Sequence, residues 1–338
     1  MGVGAPWQAS PRVSLEADLK ETARDLARLL AGGGDGAVTL GEKESDLAPV
    51  EDSRPRLLKP ASPSRQVWAV DGGQGIVADA RAFSVVLIRT ARVLMAEERI
   101  FEEAASAELR LLWNAPSVPV GLRRLAATDA GLLREAAEWE EVRRCVELAD
   151  SGAMVMVDGD LRAAEGLGLD LVSSIARLAF DKEVDLVGVT KHSSLVRRGL
   201  PMAVSLEIEA ARLPVLGERS RWWAPVLISS STDGLRRFVA YAKLDPLARF
   251  AFRVDCLVAE GGWEKVEEVL GSLAAVSDDA AFPGYPYPLA VADRVAACPS
   301  WLLAELRGLL EGELMKEQVP VEVWERCVAD RHRFMERE

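Results

Sequence analysis

Val67-Trp68-Ala69-Val70-Asp71-Gly72-Gly73-Gln74-Gly75 drives an apolar run into a carboxylate and then into glycines. The pattern reads as a buried strand that delivers an acid to the edge of a sheet, with Gly72 and Gly73 supplying a tight turn beyond it. Met154-Val155-Met156-Val157-Asp158-Gly159-Asp160-Leu161 repeats the idea, 87 residues further on from Asp71 to Asp158. That separation is too long for one local loop, so any meeting of the two acids must come from the fold. Two carboxylates at the ends of buried strands are costly to hold unless a cation pairs with them. Hard oxygen donors suit Mg²⁺ or Mn²⁺. Asp-Gly is also a common turn dipeptide, and each motif alone is weak.

Outward from the first stretch, Phe83–Met95 is rich in Val, Leu and Ile, and Glu97–Leu112 holds room for a third strand, pairing antiparallel in our reading. A turn at Asn114–Pro119 follows. Thr128-Asp129 is a plausible N-cap for a long helix to about Ala149. Leu169–Phe180 reads as a helix between the strand that ends at Asp158 and a strand at Val184–Val189. Strand, helix and strand in that order imply a parallel βαβ unit. An antiparallel opening followed by parallel strands is the layout of an α/β, ribonuclease H-like mixed sheet flanked by helices.

Further strands are expected at Trp222–Ile228, Phe238–Leu244 and Phe250–Val258, the last two as neighbours. Helices are expected at Trp263–Leu273 and at about 289–297, 300–313 and 320–336, after a proline-rich turn at Pro283–Pro288. Before the first strand, residues 15–30 have helical apolar spacing and 41–66 are polar and proline-punctuated. Residues 1–64 are therefore assigned to an N-terminal helix and linker, and 65–338 to one elaborated domain.

The 338 residues are 49% hydrophobic, enough for a substantial core. A formal net charge of −12 argues against coating nucleic acid through the overall field, while leaving a local groove open. Arg123-Arg124, Arg143-Arg144, Arg197-Arg198 and Arg236-Arg237 are the basic doublets that such a groove would draw on. Four scattered cysteines without a CxxC pair suggest neither a disulfide framework nor a zinc cluster, and a reducing, cytoplasmic setting is expected. No targeting or membrane-spanning segment is expected. Ala31-Gly32-Gly33-Gly34-Asp35-Gly36 lacks the lysine and Ser/Thr of a phosphate loop and reads as a linker.

Other groups complete the chemistry. Glu138 and Glu141, three apart on the helix before Asp158, share a face, and either is a candidate third carboxylate. Lys191, just past the strand at Val184–Val189, is placed to meet a scissile phosphate, though a surface lysine would look the same. Tyr285 stands eight residues before Asp293 in Gly284-Tyr285-Pro286-Tyr287-Pro288-Leu289-Ala290-Val291-Ala292-Asp293, where a turn and a helix would put both on one rim. With only His192 and His332, a histidine metal site or a Ser-His-Asp triad has little to draw on.

In this order the motifs resemble the NurA family, nucleases that act with the HerA-type hexameric DNA-translocating ATPase in DNA end processing. The matching points are Asp71-Gly72, the acidic helix, Asp158-Gly159-x-Leu161, Gly188-Val189-Thr190-Lys191 and the late Gly-Tyr-Pro-x-Pro-Leu-x-x-Ala-Asp segment, spanning about residues 65–300. The resemblance implies a ribonuclease H-like DNA nuclease with two metal ions, preferably Mn²⁺, working as a homodimer docked on the ATPase ring in double-strand break repair. It makes Asp71, Asp158, Glu138 or Glu141, and Asp293 the metal-site residues, joined by Lys191 and Tyr285. Single-strand endonuclease and 5′–3′ exonuclease activity are both open. The chain departs where the family has Asp-Gly-Ser and Asp-Gly-Ser-Leu, with Gly73 and Asp160 at the serines, and where Asp293 replaces a histidine. Two rival readings remain: an actin-like sugar kinase using Asp71-Gly72-Gly73 as a phosphate loop, and a catalytically impaired scaffold.

Overall fold

The computed structural model describes residues 11–30, 38–40, 46–62, 66–113, 130–162, 169–217, 219–229, 236–258 and 262–329. In chain order the elements are α1 (Pro11–Leu30), β1 (Val38–Thr39), β2 (Leu47–Pro49), β3 (Arg56–Leu57), β4 (Gln66–Asp79), β5 (Phe83–Ala96) and β6 (Arg99–Trp113). Then come α2 (Ala130–Leu148), β7 (Met154–Asp158), α3 (Leu169–Asp181), β8 (Asp185–Thr190), β9 (Val196–Arg197), β10 (Leu200–Pro201) and α4 (Met202–Ala211). The chain continues with β11 (Trp222–Ser229), β12 (Arg236–Lys243), β13 (Phe252–Val258), α5 (Gly262–Ala274), α6 (Tyr287–Ala296), α7 (Ser300–Lys316) and α8 (Val321–Val328).

A ten-stranded mixed sheet runs β2-β11-β12-β13-β8-β7-β4-β5-β6, with β3 also on β11, and β1, β9 and β10 form a small separate sheet. β4, β5 and β6 are an antiparallel meander, whereas β7 is parallel to both β4 and β8. This is the expected ribonuclease H-like order, extended by the antiparallel strands β11–β13. β12 and β13 pair as neighbours, as expected.

Side-chain alternation sorts the two faces of the sheet. Val67 and Ala69 of β4 join Met154 and Met156 of β7 in a core capped by α5 and α6, through Leu270, Leu289 and Ala292. Trp68, Val70, Val155 and Val157 point the other way, onto Trp139, Val142 and Val146 of α2 and Ile175 of α3. Strands buried on both faces explain why β7 and β8 read as continuous apolar runs rather than alternating ones. Further along β4 and β5, Val77 and Leu87 pack against Trp324 and Val328 of α8 and Leu306 of α7.

Three features differ from expectation. β4 does not stop at Asp71: it runs on to Asp79, paired with β5 along its length apart from a register shift between Ile76 and Ala78, so no turn forms at Gly72-Gly73. That also removes the phosphate loop which the sugar-kinase reading needed there. α4 and the small sheet were not foreseen, because α4 is apolar nearly all round and two-residue strands carry no periodicity. The polar stretch before the first strand supplies β2 and β3 to the sheet's far side. Asn114–Pro119, Arg123-Arg124, the cap at Thr128-Asp129, the glycine run at 32–34, and His332 lie outside the described residues. No helix among the described residues is long and apolar enough to cross a membrane.

Candidate metal centre

The parallel register of β4 and β7 pairs Val70 with Val157, so Asp71 and Asp158 are the next level on both strands. Residues level on parallel neighbours point to the same face, here the face covered by α6. α6 brings Asp293 to the same place: one carboxylate oxygen from each of Asp71, Asp158 and Asp293 lies within 4.8 Å of the others. An 87-residue separation is thus closed by a strand–helix crossover, and a 135-residue one, from Asp158 to Asp293, by a helix laid back across the sheet.

Asp71 is the buried member, Asp158 is intermediate and Asp293 faces solvent. Burial, then the charge on Asp158, pushes the Asp71 carboxyl up to about 7, although the backbone N–H of Gly72 donates to it at 2.7 Å. Lys191 follows the end of β8 and donates to Asp158 Oδ2 at 2.7 Å and to Asp293 Oδ1 at 3.0 Å. Burial works against its charge, but those two carboxylates leave its pKa raised overall. Its ammonium also sits 4.9 Å from the centroid of the Tyr285 ring. The Tyr285 hydroxyl is buried without a well-formed hydrogen bond. Burial first, then Asp158, Asp71 and Asp293, drive this phenol well above its ordinary pKa, so it stays a neutral donor aimed among acids.

The two helix glutamates part company. Glu138 approaches from the α2 side across Gly72: a Cβ placed on Gly72 would come within 2.5 Å of its carboxylate. Burial raises Glu138 to about 8, Arg134 one turn earlier opposes that, and Asp71 and Asp158 add to it. Arg134 pairs directly with the Glu138 carboxylate. Glu141 instead faces Arg92 of β5, which donates to it at 2.6 Å, and Arg144 at 3.3 Å, away from Asp71. Glu138 is therefore within reach of the charges on Asp71 and Asp158 while Glu141 is taken up by arginines, and neither carboxylate is one of the three that converge.

The glycines that looked like a turn are approach points. A Cβ on Gly73 would lie 2.1 Å from the carbonyl oxygen of Ala296 at the end of α6, and one on Gly75 would strike Leu303 of α7. Extended strand with no side chains lets α2 and α6 close on β4 from opposite faces. Gly159, at φ +142°, turns the chain directly after Asp158, and its N–H donates to Val189 O at 3.0 Å.

Asp160, at the position where a serine was expected, pairs with Arg162 rather than joining the cluster. Among the described residues, four of the doublet arginines are held in ion pairs. Arg197 pairs with Glu209, Arg237 with Asp46, and Arg143 and Arg144 with helix glutamates. His192 is exposed beside the centre. The sequence reading passed over Arg134, whose i,i+4 spacing to Glu138 was the available signal. Arg before Glu is the less favourable order for a helix pair, so the pair is better explained by the buried glutamate than by helix stability.

A donor set of carboxylate oxygens, one of them buried and short of positive charge, fits a hard divalent cation. Asp71, Asp158 and Asp293 would hold it, with Glu138 adjoining.

A NurA domain model matches residues 65–298. The chain is similar to the crystal structure of the NurA nuclease from Sulfolobus solfataricus, at 16% identity and TM-score 0.58, covering 92% of this chain and 98% of that one. Weaker likenesses include the catalytic domain of human endonuclease V, at 17% identity and TM-score 0.36 over 83% of this chain and 95% of that one. An Aquifex (A. aeolicus) Argonaute matches at 7% identity and TM-score 0.35, over 73% of this chain and 29% of that one. No curated protein matches the sequence.

Proposed function

The chain belongs to the NurA family, and from that premise we propose that it is a divalent-metal-dependent phosphodiester hydrolase acting on DNA. The observation that carries the reading is the convergence of Asp71, Asp158 and Asp293, whose ligand oxygens lie within 4.8 Å of one another. With Glu138 they would hold Mn²⁺ or Mg²⁺, as two ions in our reading. Bound there, the metal would supply an acidified water as nucleophile and positive charge against the leaving oxygen. The protein's own residues do the rest. Asp71 and Asp158, fixed on adjacent strands, set the position of the reacting phosphate without loop motion. Lys191, held between Asp158 and Asp293, offsets charge on a non-bridging phosphate oxygen. Tyr285, a neutral phenol under Lys191, donates a hydrogen bond from a dry wall.

We take residues 65–338 as the body of the nuclease domain, whose sheet also takes in β2 and β3 from the preceding segment. We further propose that it acts in DNA end resection and double-strand break repair, in the cytoplasm, as a homodimer with a HerA-type ATPase. Mn²⁺-dependent cleavage of single-stranded DNA tests the reading. Asp71→Ala and Asp158→Ala should lower it more than about 100-fold, beyond the roughly 10–100-fold of outer-shell partners. Full activity in either variant would refute the assignment. A wild-type protein that binds the ATPase but cleaves nothing under Mn²⁺ would favour the impaired scaffold, with Asp293 in place of the family histidine as the first residue to restore.

A further inference from the structure

Two braced loops flank the carboxylate centre and hold apolar side chains out into solvent. The first, residues 244–251, joins β12 to β13. Asp245 accepts from the Leu247 N–H at 2.7 Å and from Arg221 at 3.3 Å, and the Ala251 N–H donates to Glu207 at 2.7 Å. Yet Leu247 is 69% and Phe250 66% exposed, with the exposed Arg249 between them. The second loop, residues 277–286, leads into α6. Its backbone is tied by Ala281 N–H to Asp279 Oδ1 at 2.8 Å, Gly284 N–H to Ser277 O at 2.8 Å and Tyr285 N–H to Phe282 O at 3.0 Å. Here Phe282 is 56% exposed.

The loops meet. Gly284, at φ +86°, is so close to the first loop that a Cβ on it would lie 2.5 Å from the Ala248 Cβ. Phe250 and Phe282 each stand two residues from that contact. Both loops are also continuous with the centre. Phe252, two residues after Phe250, packs its ring 5.5 Å from that of Tyr285, which carries Lys191 above it. Arg253 is level with Thr190, the residue before Lys191.

We infer that Phe250 and Phe282, with the exposed Arg249 next to Phe250, form a base-stacking subsite for single-stranded nucleic acid entering the carboxylate centre. The inference rests on the nuclease reading. Its physical logic is that a chain of net charge −12 has little overall field with which to hold a polyanion, and two of the candidate arginines, Arg197 and Arg237, are taken up in ion pairs. Ring stacking is available to every base whatever its sequence and needs no net charge. It requires bases free of their partners, which a duplex does not offer.

The test is fluorescence anisotropy with a labelled oligothymidylate and with a blunt duplex of equal length, Ca²⁺ replacing Mn²⁺, on the full chain. The Phe250→Ala/Phe282→Ala double variant should bind the oligothymidylate about 5- to 100-fold more weakly. Its duplex affinity should stay within about twofold, and Phe250→Trp should restore single-strand binding. Both positions are exposed, so folding is not at stake. Unchanged single-strand affinity in the double variant, while the wild type still cleaves in Mn²⁺, overturns the subsite and leaves the nuclease reading standing. Equal losses on both probes overturn the stacking role, as does unchanged binding accompanied by a changed oligomeric state in light scattering. A wild type that neither binds nor cleaves either probe overturns both readings.

Discussion

Glu138 and Glu141 are three residues apart on one helix, both buried, and their environments assign them opposite duties. Glu138→Gln should weaken Mn²⁺ binding by at least about tenfold in titration calorimetry and change stability little, since Arg134 is partly exposed and can turn to water. Glu141→Ala should leave Mn²⁺ affinity intact and cost roughly 1 kcal/mol in urea unfolding, because it removes one of the two carboxylates that pair with the partly buried Arg92 and leaves Glu102 as the other. The reverse pattern would make Glu141, about one turn further along α2, the glutamate of the site. A second consequence lies in proton balance. Asp71 is raised from about 3.8 to about 7 and Glu138 from about 4.5 to about 8 in the metal-free protein. Between those limits the folded state holds protons that the unfolded chain has already lost, so stability falls as pH rises from about 4 to 8. Urea midpoints in EDTA should show that slope, and Asp71→Asn should flatten part of it. A slope of the opposite sign would mean that these carboxyls are ionised in the folded apo state.

At the scale of elements, the strands were legible because a sheet buried on both faces writes long Val, Ile and Leu runs into the chain. The acid at the end of one such run, Asp158, gained meaning only beside Asp71, since either Asp-Gly alone is an ordinary turn dipeptide. What could not be read was how far β4 continues, since Gly72, Gly73 and Gly75 have no side chains to show periodicity and glycine ordinarily signals a break. Their reason is visible only when α2, α6 and α7 are in place. The choice between Glu138 and Glu141 was hidden for a related reason: residues three apart share a helix face, and only the strand opposite each one separates them. α6 gives a direct test. Gly73→Ala sets a methyl against the Ala296 carbonyl, which is backbone and cannot rotate away. Overpacking should cost about 1–3 kcal/mol in thermal melting and carry Asp293 off its partners, lowering Mn²⁺-dependent cleavage. A variant that melts and cleaves like the wild type would show that α6 is not seated against β4 in solution.

For the whole molecule, Lys191 offsets only part of the charge of the three converging carboxylates, so an ion bound there would also stabilise the fold. Mn²⁺ at a hundred times its dissociation constant should add about 2.7 kcal/mol to unfolding free energy, seen as a rise in Tm that EDTA reverses. Asp158→Ala should abolish that rise, and the metal-free Tm reads the balance between relieved repulsion on Asp71 and the lost Lys191 ion pair; a retained rise would place the ion elsewhere. Composition foretold this acidic character through the net charge of −12, but not where the repulsion is concentrated.

β4 carries one further implication, for chain length rather than composition. Asp71 faces α6, Gly72 admits Glu138 from α2, Gly75 lies against α7 and Val77 against α8, all on one unbroken strand with a two-residue repeat. Each of these positions can be mutated singly with a local cost. Inserting or deleting one residue between Asp71 and Gly75 would turn every later side chain to the opposite face, setting Val77 toward solvent and the glycines under the wrong helices. The pairing with β5 already absorbs one irregularity between Ile76 and Ala78, beyond that segment. Five consecutive positions, 71–75, therefore behave as a fixed-length spacer, tolerant of chemistry at Gln74 and intolerant of any indel.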